Sequence, residues 1–407
     1  ADGPAVVAAL ERHQKQNRRI ASQLAGVAFS APDAARVQAR TPQPDPSLPF
    51  RLTTLSIHNA AAADRLGDRF NTEADLTGMM RPVTFTPGEL LISERNPAYW
   101  GPQPKLQRVE SRTGTDAQTR LLALKAGEAD ADMNIEVDQR RAYEQDRSFR
   151  LYFSPGGGTT RNLWLNHKRS PALQDLRVRQ ALDLSVDRQE LITGVNRGYA
   201  GPSTGHFPKA LPYAIETTST LDREKAKRLL DEAGWRPGAD GVRQKDGQRL
   251  HFRILTYTYW QPTAVALQSQ WKQIGVSAEL TPVEQTASNQ VMFDGNFDIA
   301  TYCSCGAATG DIAGQLRSFY RTGIANNFGG YSNPEADALI DQLGTAFDER
   351  TQHDLAKRVQ RLVQQDVALI YLYDAPRGGA AYHTRVRGID PNRHKDVVPG
   401  MYLAKQG

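Results

Sequence analysis

Between Leu250 and Leu280 the sequence changes its period twice, and that restricts the fold more than any other stretch. Leu250 to Tyr257 reads as a strand. The next segment places Leu267, Trp271 and Ile274 on one helical face and stops at Gly275, after which Val276, Ala278 and Leu280 alternate as a second strand. A strand, helix, strand order of this length predicts a parallel crossover unit, which assigns the chain to the α/β class.

Other segments carry their own punctuation. Asp175 is placed to cap a helix whose Val178, Ala181, Leu182, Val186 and Leu191 share a face, with Gly194 as its expected left-handed end. Asp222 and Gly234 bracket a second helix with acids and bases at pairing distance. Helices are also expected at about 115–127, 333–346 and 349–365, and over the first dozen residues. Thr84 to Ser93 alternates like a hairpin, and the apolar run from Val367 to Tyr373 reads as a buried strand.

A chain of 407 residues exceeds what one core usually serves, since domains run roughly 100–200 residues. The 39% apolar and 23% charged residues fit a globular protein, and no apolar run approaches the ~18 residues of a membrane-spanning helix. The net charge of +5 comes from 50 basic residues interleaved with 45 acidic ones, without a basic block or aromatic-basic motif, so no nucleic-acid partner is expected. Cys303 and Cys305 stand one residue apart. On a strand they point the same way, and closing so small a ring would strain a disulfide, so they are expected as small buried thiols. No secretory signal opens the sequence, which begins Ala1-Asp-Gly-Pro-Ala-Val-Val.

Four stretches, in order, carry a resemblance. They are Arg95-Asn-Pro-Ala-Tyr-Trp-Gly101, Thr119-Arg-Leu-Leu-Ala-Leu-Lys-Ala-Gly-Glu-Ala-Asp130, the Asp175 to Gly194 segment, and Arg197-Gly-Tyr-Ala-Gly-Pro-Ser-Thr-Gly-His-Phe-Pro208. Together they resemble the peptide/nickel-type (family 5) solute-binding proteins that serve ABC importers, with nickel and opine-metallophore binders as the nearest in character. The resemblance implies a periplasmic-binding-protein-like two-lobe α/β fold of class II, here with an incomplete N-terminal lobe. It places a remnant of the small second domain at 1–74, the first lobe at 75–162 and 374–407, and a second α/β lobe at 163–373. Leu163-Trp-Leu-Asn166 and Leu369-Ile-Tyr-Leu-Tyr373 are then the expected crossings and hinge candidates. It also implies a membrane permease as partner, a monomer, and a periplasmic or cell-surface lipoprotein location.

Ligand contacts follow from the same resemblance. Phe297 to Asp311 reads as a strand entering a glycine-bearing loop, where peptide binders offer an aspartate to the peptide ammonium. Cys305 stands at that position here, which removes a charge-assisted bond and argues against ordinary peptides. Tyr302 is expected as an aromatic wall, with Cys305 and Thr309 shaping the pocket. Arg321, five residues before Asn326 and six before Asn327, resembles a carboxylate-gripping loop, since a guanidinium fork suits a carboxylate and amides add directional bonds. His58 is expected as a cationic contact and not as a metal ligand. Trp100 is read as structural, and Thr77-Gly78-Met79-Met80 departs from the family's wording.

An enzyme would need an activated nucleophile, an acid/base pair or a metal site. The sequence contains no His-Glu-x-x-His, Gly-x-Ser-x-Gly or phosphate loop, and Cys303 with Cys305 falls short of a zinc pattern. The expectation is a carrier without cofactor or metal of its own, taking a small carboxylate-bearing ligand, including metal–metallophore complexes. The alternatives are an oligopeptide or dipeptide binder and a sensor domain of the same fold.

Overall fold

The computed structural model describes residues 2–16, 20–21, 24–53, 55–71, 73, 77–113, 116–153, 159–217, 219–304, 310–375, 379–388 and 404–405. The chain forms two compact units, one of residues 1–155 with 378–407, the other of 156–377.

The larger unit is built on a six-stranded sheet. In spatial order its strands are Ser277–Pro282, His251–Thr256, Ile299–Ser304, Thr159–Leu165, Leu369–Ala375 and Gly201–Pro202. The expected crossover is present: His251 to Thr256 pairs in parallel with Ser277 to Pro282, and the helix Gln261–Lys272 joins them. Leu267, Trp271 and Ile274 are buried on its inner face. Gly275 makes the return turn at φ +80°, where an added Cβ would also lie 2.9 Å from Arg243 Cγ.

The central strand, Thr159–Leu165, runs antiparallel to both neighbours and is buried throughout. Its alternation divides the core. Leu163 and Leu165 face a cluster with Leu182, Leu230 and Trp271, whereas Trp164 faces one with Leu316, Ile340 and Val359. A bulge between Tyr371 and Tyr373 breaks the partner strand's register, so Tyr373 opposes Arg161 and Asp374 opposes Thr160. Four strands point the same way: the carboxyl ends at Thr256, Pro282, Ser304 and Ala375 share one edge with Thr159 at the start of the central strand.

The surrounding helices begin as the sequence indicates. Asp175, Asp222, Asn333 and Asp348 each accept a backbone N–H of the first turn, worth about 1 kcal/mol apiece. The single helix expected from Asp175 to Gly194 is instead broken. It stops at Leu184, restarts under an Asp187 cap at Arg188–Glu190, and widens into a π-turn over Leu191–Val195. Gln270 explains the break, because its side-chain amide takes both the N–H (2.9 Å) and the C=O (3.2 Å) of Asp187. Gly198, not Gly194, adopts the left-handed conformation.

In the smaller unit the helix Gly3–Gln16 lies on the hairpin Ala28–Asp33 with Arg36–Arg40. Met80–Thr86, Leu90–Arg95 and Arg108–Arg112 form an antiparallel sheet containing the expected hairpin. The helix Ala117–Ala126 starts at an Asp116 cap and ends at Gly127 with φ +76°. A third sheet sets Gly379–His383 between Ala131–Asp132 and Phe149–Phe153, so the chain returns here after the larger unit. The segments read as crossings, Leu163 to Asn166 and Leu369 to Tyr373, lie within the larger unit's sheet, and the chain divides between the units at 155/156 and 377/378. Among the described residues no helix is long and apolar enough to cross a membrane.

Candidate ligand-binding site

In open α/β sheets ligands bind outside the carboxyl ends of the strands. In the larger unit that edge gathers polar and aromatic side chains on both faces of the central strand. On the face of Asn162, a buried hydrogen-bonded chain runs through four elements. Asn162 Nδ2 donates to Ser304 Oγ at 2.9 Å, Ser304 Oγ lies 3.3 Å from His206 Nδ1, and the same nitrogen lies 2.9 Å from Tyr320 Oη, itself 2.6 Å from Tyr371 Oη. Burial pushes the His206 pKa down to about 3, so its imidazole is neutral, and burial raises both tyrosines. Asn162 Oδ1, His206 Nε2 and Thr204 Oγ1 are buried without a partner among the described residues.

Thr160 Oγ1, at the same edge, donates to Asp374 Oδ1 at 2.8 Å. Burial raises the Asp374 pKa, opposed by hydrogen bonds from Thr160, Ser203 and the Lys209 backbone. On the opposite face Arg161 extends toward Tyr259 and Trp260, with Nη2 donating to Tyr259 Oη at 3.1 Å. Trp260 Nε1 donates to Tyr257 Oη at 2.5 Å, and Tyr373 Oη is 2.9 Å from Thr263 Oγ1. Cys303, opposite Arg161 on the adjoining strand, is disulfide-bonded, which corrects the expectation of a free thiol. The chain's other cysteine, Cys305, lies outside the described residues, as does Thr309.

The remaining expected contacts are dispersed. Arg321 follows the helix Ile312–Tyr320, and its guanidinium is already occupied: Nε and Nη2 each reach Asp341 at 3.1 Å, and Nη1 reaches Asp337 at 3.1 Å. The hydrogen bond to Asp341 raises its pKa. Asn327 is buried and braces its own loop, donating to Tyr331 O at 2.7 Å and accepting from Tyr331 N at 3.1 Å. Asn326 is half-buried beside it. This loop packs at the far end of the central strand. Gly329 O accepts from His167 N at 2.8 Å, and a Cβ on Gly329 would come within 2.4 Å of Leu165 O. At ~3.3 Å per residue, that end is roughly 13 Å from Arg161.

Tyr302 belongs to the strand-end region. It pairs with Asn162 across the sheet, its hydroxyl donates to Asn289 Oδ1 at 3.3 Å, and its ring meets Trp164 and Phe328 edge-on. His58 is in the smaller unit, against the rings of His13 (4.8 Å) and Phe70 (5.8 Å), and burial followed by His13 lowers its pKa. The structure therefore does not bring Arg321, Asn326 and Asn327 to the edge that holds Arg161.

Arg161, Asn162, His206, Tyr259 and Trp260 are absent from the sequence-based set, although two signals mark Arg161, Tyr259 and Trp260. Arg161 is a charge on the strand face whose other positions are Leu163 and Leu165, and Tyr257, Tyr259 and Trp260 cluster directly after a strand. Among the described residues no three His, Cys, Asp or Glu side chains gather as a metal site.

The sequence model of bacterial extracellular solute-binding proteins, family 5 (middle), matches residues 4–327. The nickel-binding protein NikA of Staphylococcus aureus is 25% identical over 311 residues, covering 75% of this chain and 59% of the relative. The oligopeptide-binding protein AppA of Bacillus subtilis is 23% identical over 363 residues, covering 85% and 65%. The chain thus spans less than two thirds of the length of these relatives. Among solved structures, NikA of Staphylococcus aureus in complex with Ni(L-His)2 aligns at TM-score 0.83 and 22% identity, over 100% of this chain and 83% of that one. AppA of Bacillus subtilis with a nonapeptide aligns at 0.86 and 19%, over 100% and 84%. AgaA of A. tumefaciens R10 with agropinic acid aligns at 0.85 and 20%, again over 100% and 84%. At such identities the likeness establishes the two-lobe α/β fold, and the sequence match over most of the chain establishes descent: the chain belongs to the bacterial extracellular solute-binding proteins, family 5.

Proposed function

We infer that this chain is the solute-binding component of an ABC importer, working in the periplasm or at the cell surface. It captures a small carboxylate-bearing molecule, of the opine or nickel–metallophore class, and presents it to a membrane permease. Capture proceeds by closure of the two lobes around the ligand, a motion open to domains joined by two chain crossings. It makes and breaks no covalent bond. The observation that carries this reading is the collection of guanidinium, amide, hydroxyl and aromatic groups at the carboxyl edge of the larger unit's sheet, in a chain of this family. A few placed polar groups among aromatic walls are what a small polar ligand requires.

Native mass spectrometry of the purified protein, before and after unfolding, with metal analysis of the same sample, tests it. A released small carboxylic acid, alone or with nickel, is the expected result. A protein that carries nothing and responds to no opine, nickel–histidine complex or peptide would overturn it. A released oligopeptide would move the assignment to the peptide branch, where AppA holds a nonapeptide.

A further inference from the structure

Three arginines are buried among the described residues, and two of them are closed. Arg179 spends its donors on the carbonyls of Leu173, Gln174 and Asp366 at 2.8–3.0 Å. Arg243 donates to the carbonyls of Ile274 and Trp235 and to Asp231 at 2.7–2.8 Å. Arg161 differs. Among the described residues its one hydrogen bond runs from Nη2 to Tyr259 Oη, and the guanidinium carbon lies 4.7 Å from the Trp260 ring centroid and 5.2 Å from that of Tyr259.

No carboxylate pairs with Arg161 among the described residues. The acid on the neighbouring strand, Asp374, opposes Thr160 and accepts from it on the other side of the sheet. Among the described residues Nε and Nη1 have no acceptor, and neither is a sealed orphan. A guanidinium taken out of water without a counter-ion is costly, and two aromatic faces offset only part of that cost. The helix Gln261–Lys272 begins immediately after Trp260, so its positive end adds to the same field. An arriving anion would complete this arrangement, whereas the Arg321 guanidinium would first have to release Asp337 and Asp341.

We propose that Arg161, held by Tyr259 and Trp260, is the specificity-determining grip for the ligand's carboxylate. Nη2 keeps a second N–H besides the one given to Tyr259, and with the Nε or the Nη1 N–H beside it this makes one edge of a planar fork, which suits the two oxygens of a carboxylate. Tyr259, 55% exposed, offers the flanking ring for the stem that bears the carboxylate. This rests on the solute-binding reading above and adds the chemical group recognised and the residue that recognises it.

The test uses the full chain with three probes, the nickel(II)–L-histidine complex, agropinic acid and a tryptic casein hydrolysate, each also as its methyl ester. Thermal shift finds which probe binds, and calorimetry measures its affinity. Binding by the free acid of at least one probe and not by its ester is expected. Arg161→Lys keeps the charge but loses the fork and is expected to weaken that affinity about tenfold to a hundredfold, with unchanged circular dichroism. Tyr259→Ala, at an exposed position, is expected to weaken it by a smaller factor. An ester bound as well as its acid, or Arg161→Lys and Tyr259→Ala proteins that bind as the parent does, would overturn the grip while leaving the solute-binding reading intact. No response to any probe would overturn both.

Discussion

Thr160 donates its hydroxyl to the carboxylate of Asp374 at 2.8 Å, joining positions 214 residues apart next to both chain crossings. Burial raises the Asp374 pKa above its ordinary value. A carboxyl whose folded pKa exceeds its unfolded one favours the folded state below the unfolded pKa, and that advantage is lost as pH rises through the folded pKa. Asp374→Asn keeps an acceptor for Thr160 without the charge. Denaturant melts should therefore find it more stable than the parent at pH 7, with the difference shrinking toward pH 4. Thr160→Val, which strips a donor from the buried carboxylate, should cost about 1–3 kcal/mol at pH 7.

A buried and a half-buried histidine, His206 and His167, predict acid sensitivity of the opposite sign. Burial lowers His206 to about 3 and His167 to about 4. Below pH 6.5 the unfolded chain takes up protons that the folded chain refuses, so stability falls as pH drops toward those values. The loss approaches about 1.4 kcal/mol per pH unit for each histidine. His206→Gln and His167→Gln should each flatten the stability profile between pH 6 and 4, whatever they cost at pH 7. An unchanged slope would contradict their burial as neutral rings.

Arg321→Ala separates the two candidate carboxylate sites. Its ion pairs with Asp337 and Asp341 are partly exposed, so losing them should cost about 1 kcal/mol or less. Ligand affinity, measured on whichever molecule native mass spectrometry releases, should not change. A large loss of affinity with an unaltered melt would return the ligand to the Arg321 loop.

Asn327→Ala leaves the buried N–H and C=O of Tyr331 without their side-chain partner. The expected cost is about 1–3 kcal/mol, read as a lower denaturation midpoint with an unchanged slope.

The elements most legible in sequence were those that local chemistry fixes. Asp222 and Gly234 delimit a helix because one accepts the first-turn N–H and the other takes φ +86° at its end. The crossover from Leu250 to Leu280 was readable because burial imposes period two, then 3.6, then two. What eluded pattern reading depends on remote partners. Nothing near Asp187 announces that Gln270 will interrupt its helix. Arg321 and Asn327 read in sequence as free donors, and their partners Asp337, Asp341 and Tyr331 are visible only in the folded chain. Arg161 was the reverse case, a charge whose missing acid becomes visible only when both neighbouring strands are known.

The antiparallel placement of the Thr159–Leu165 strand also sets a timetable. Its two neighbours come from residues 299–304 and 369–375, so a chain growing from its N-terminus carries this strand with both edges open until the first of them has been made, and one edge open until the second. Such long-range pairings fold slowly and leave strand edges prone to mispairing while they wait. The larger unit is thus expected to assemble late and nearly all at once, and residues 369–375, the last strand to enter its core, close the transition.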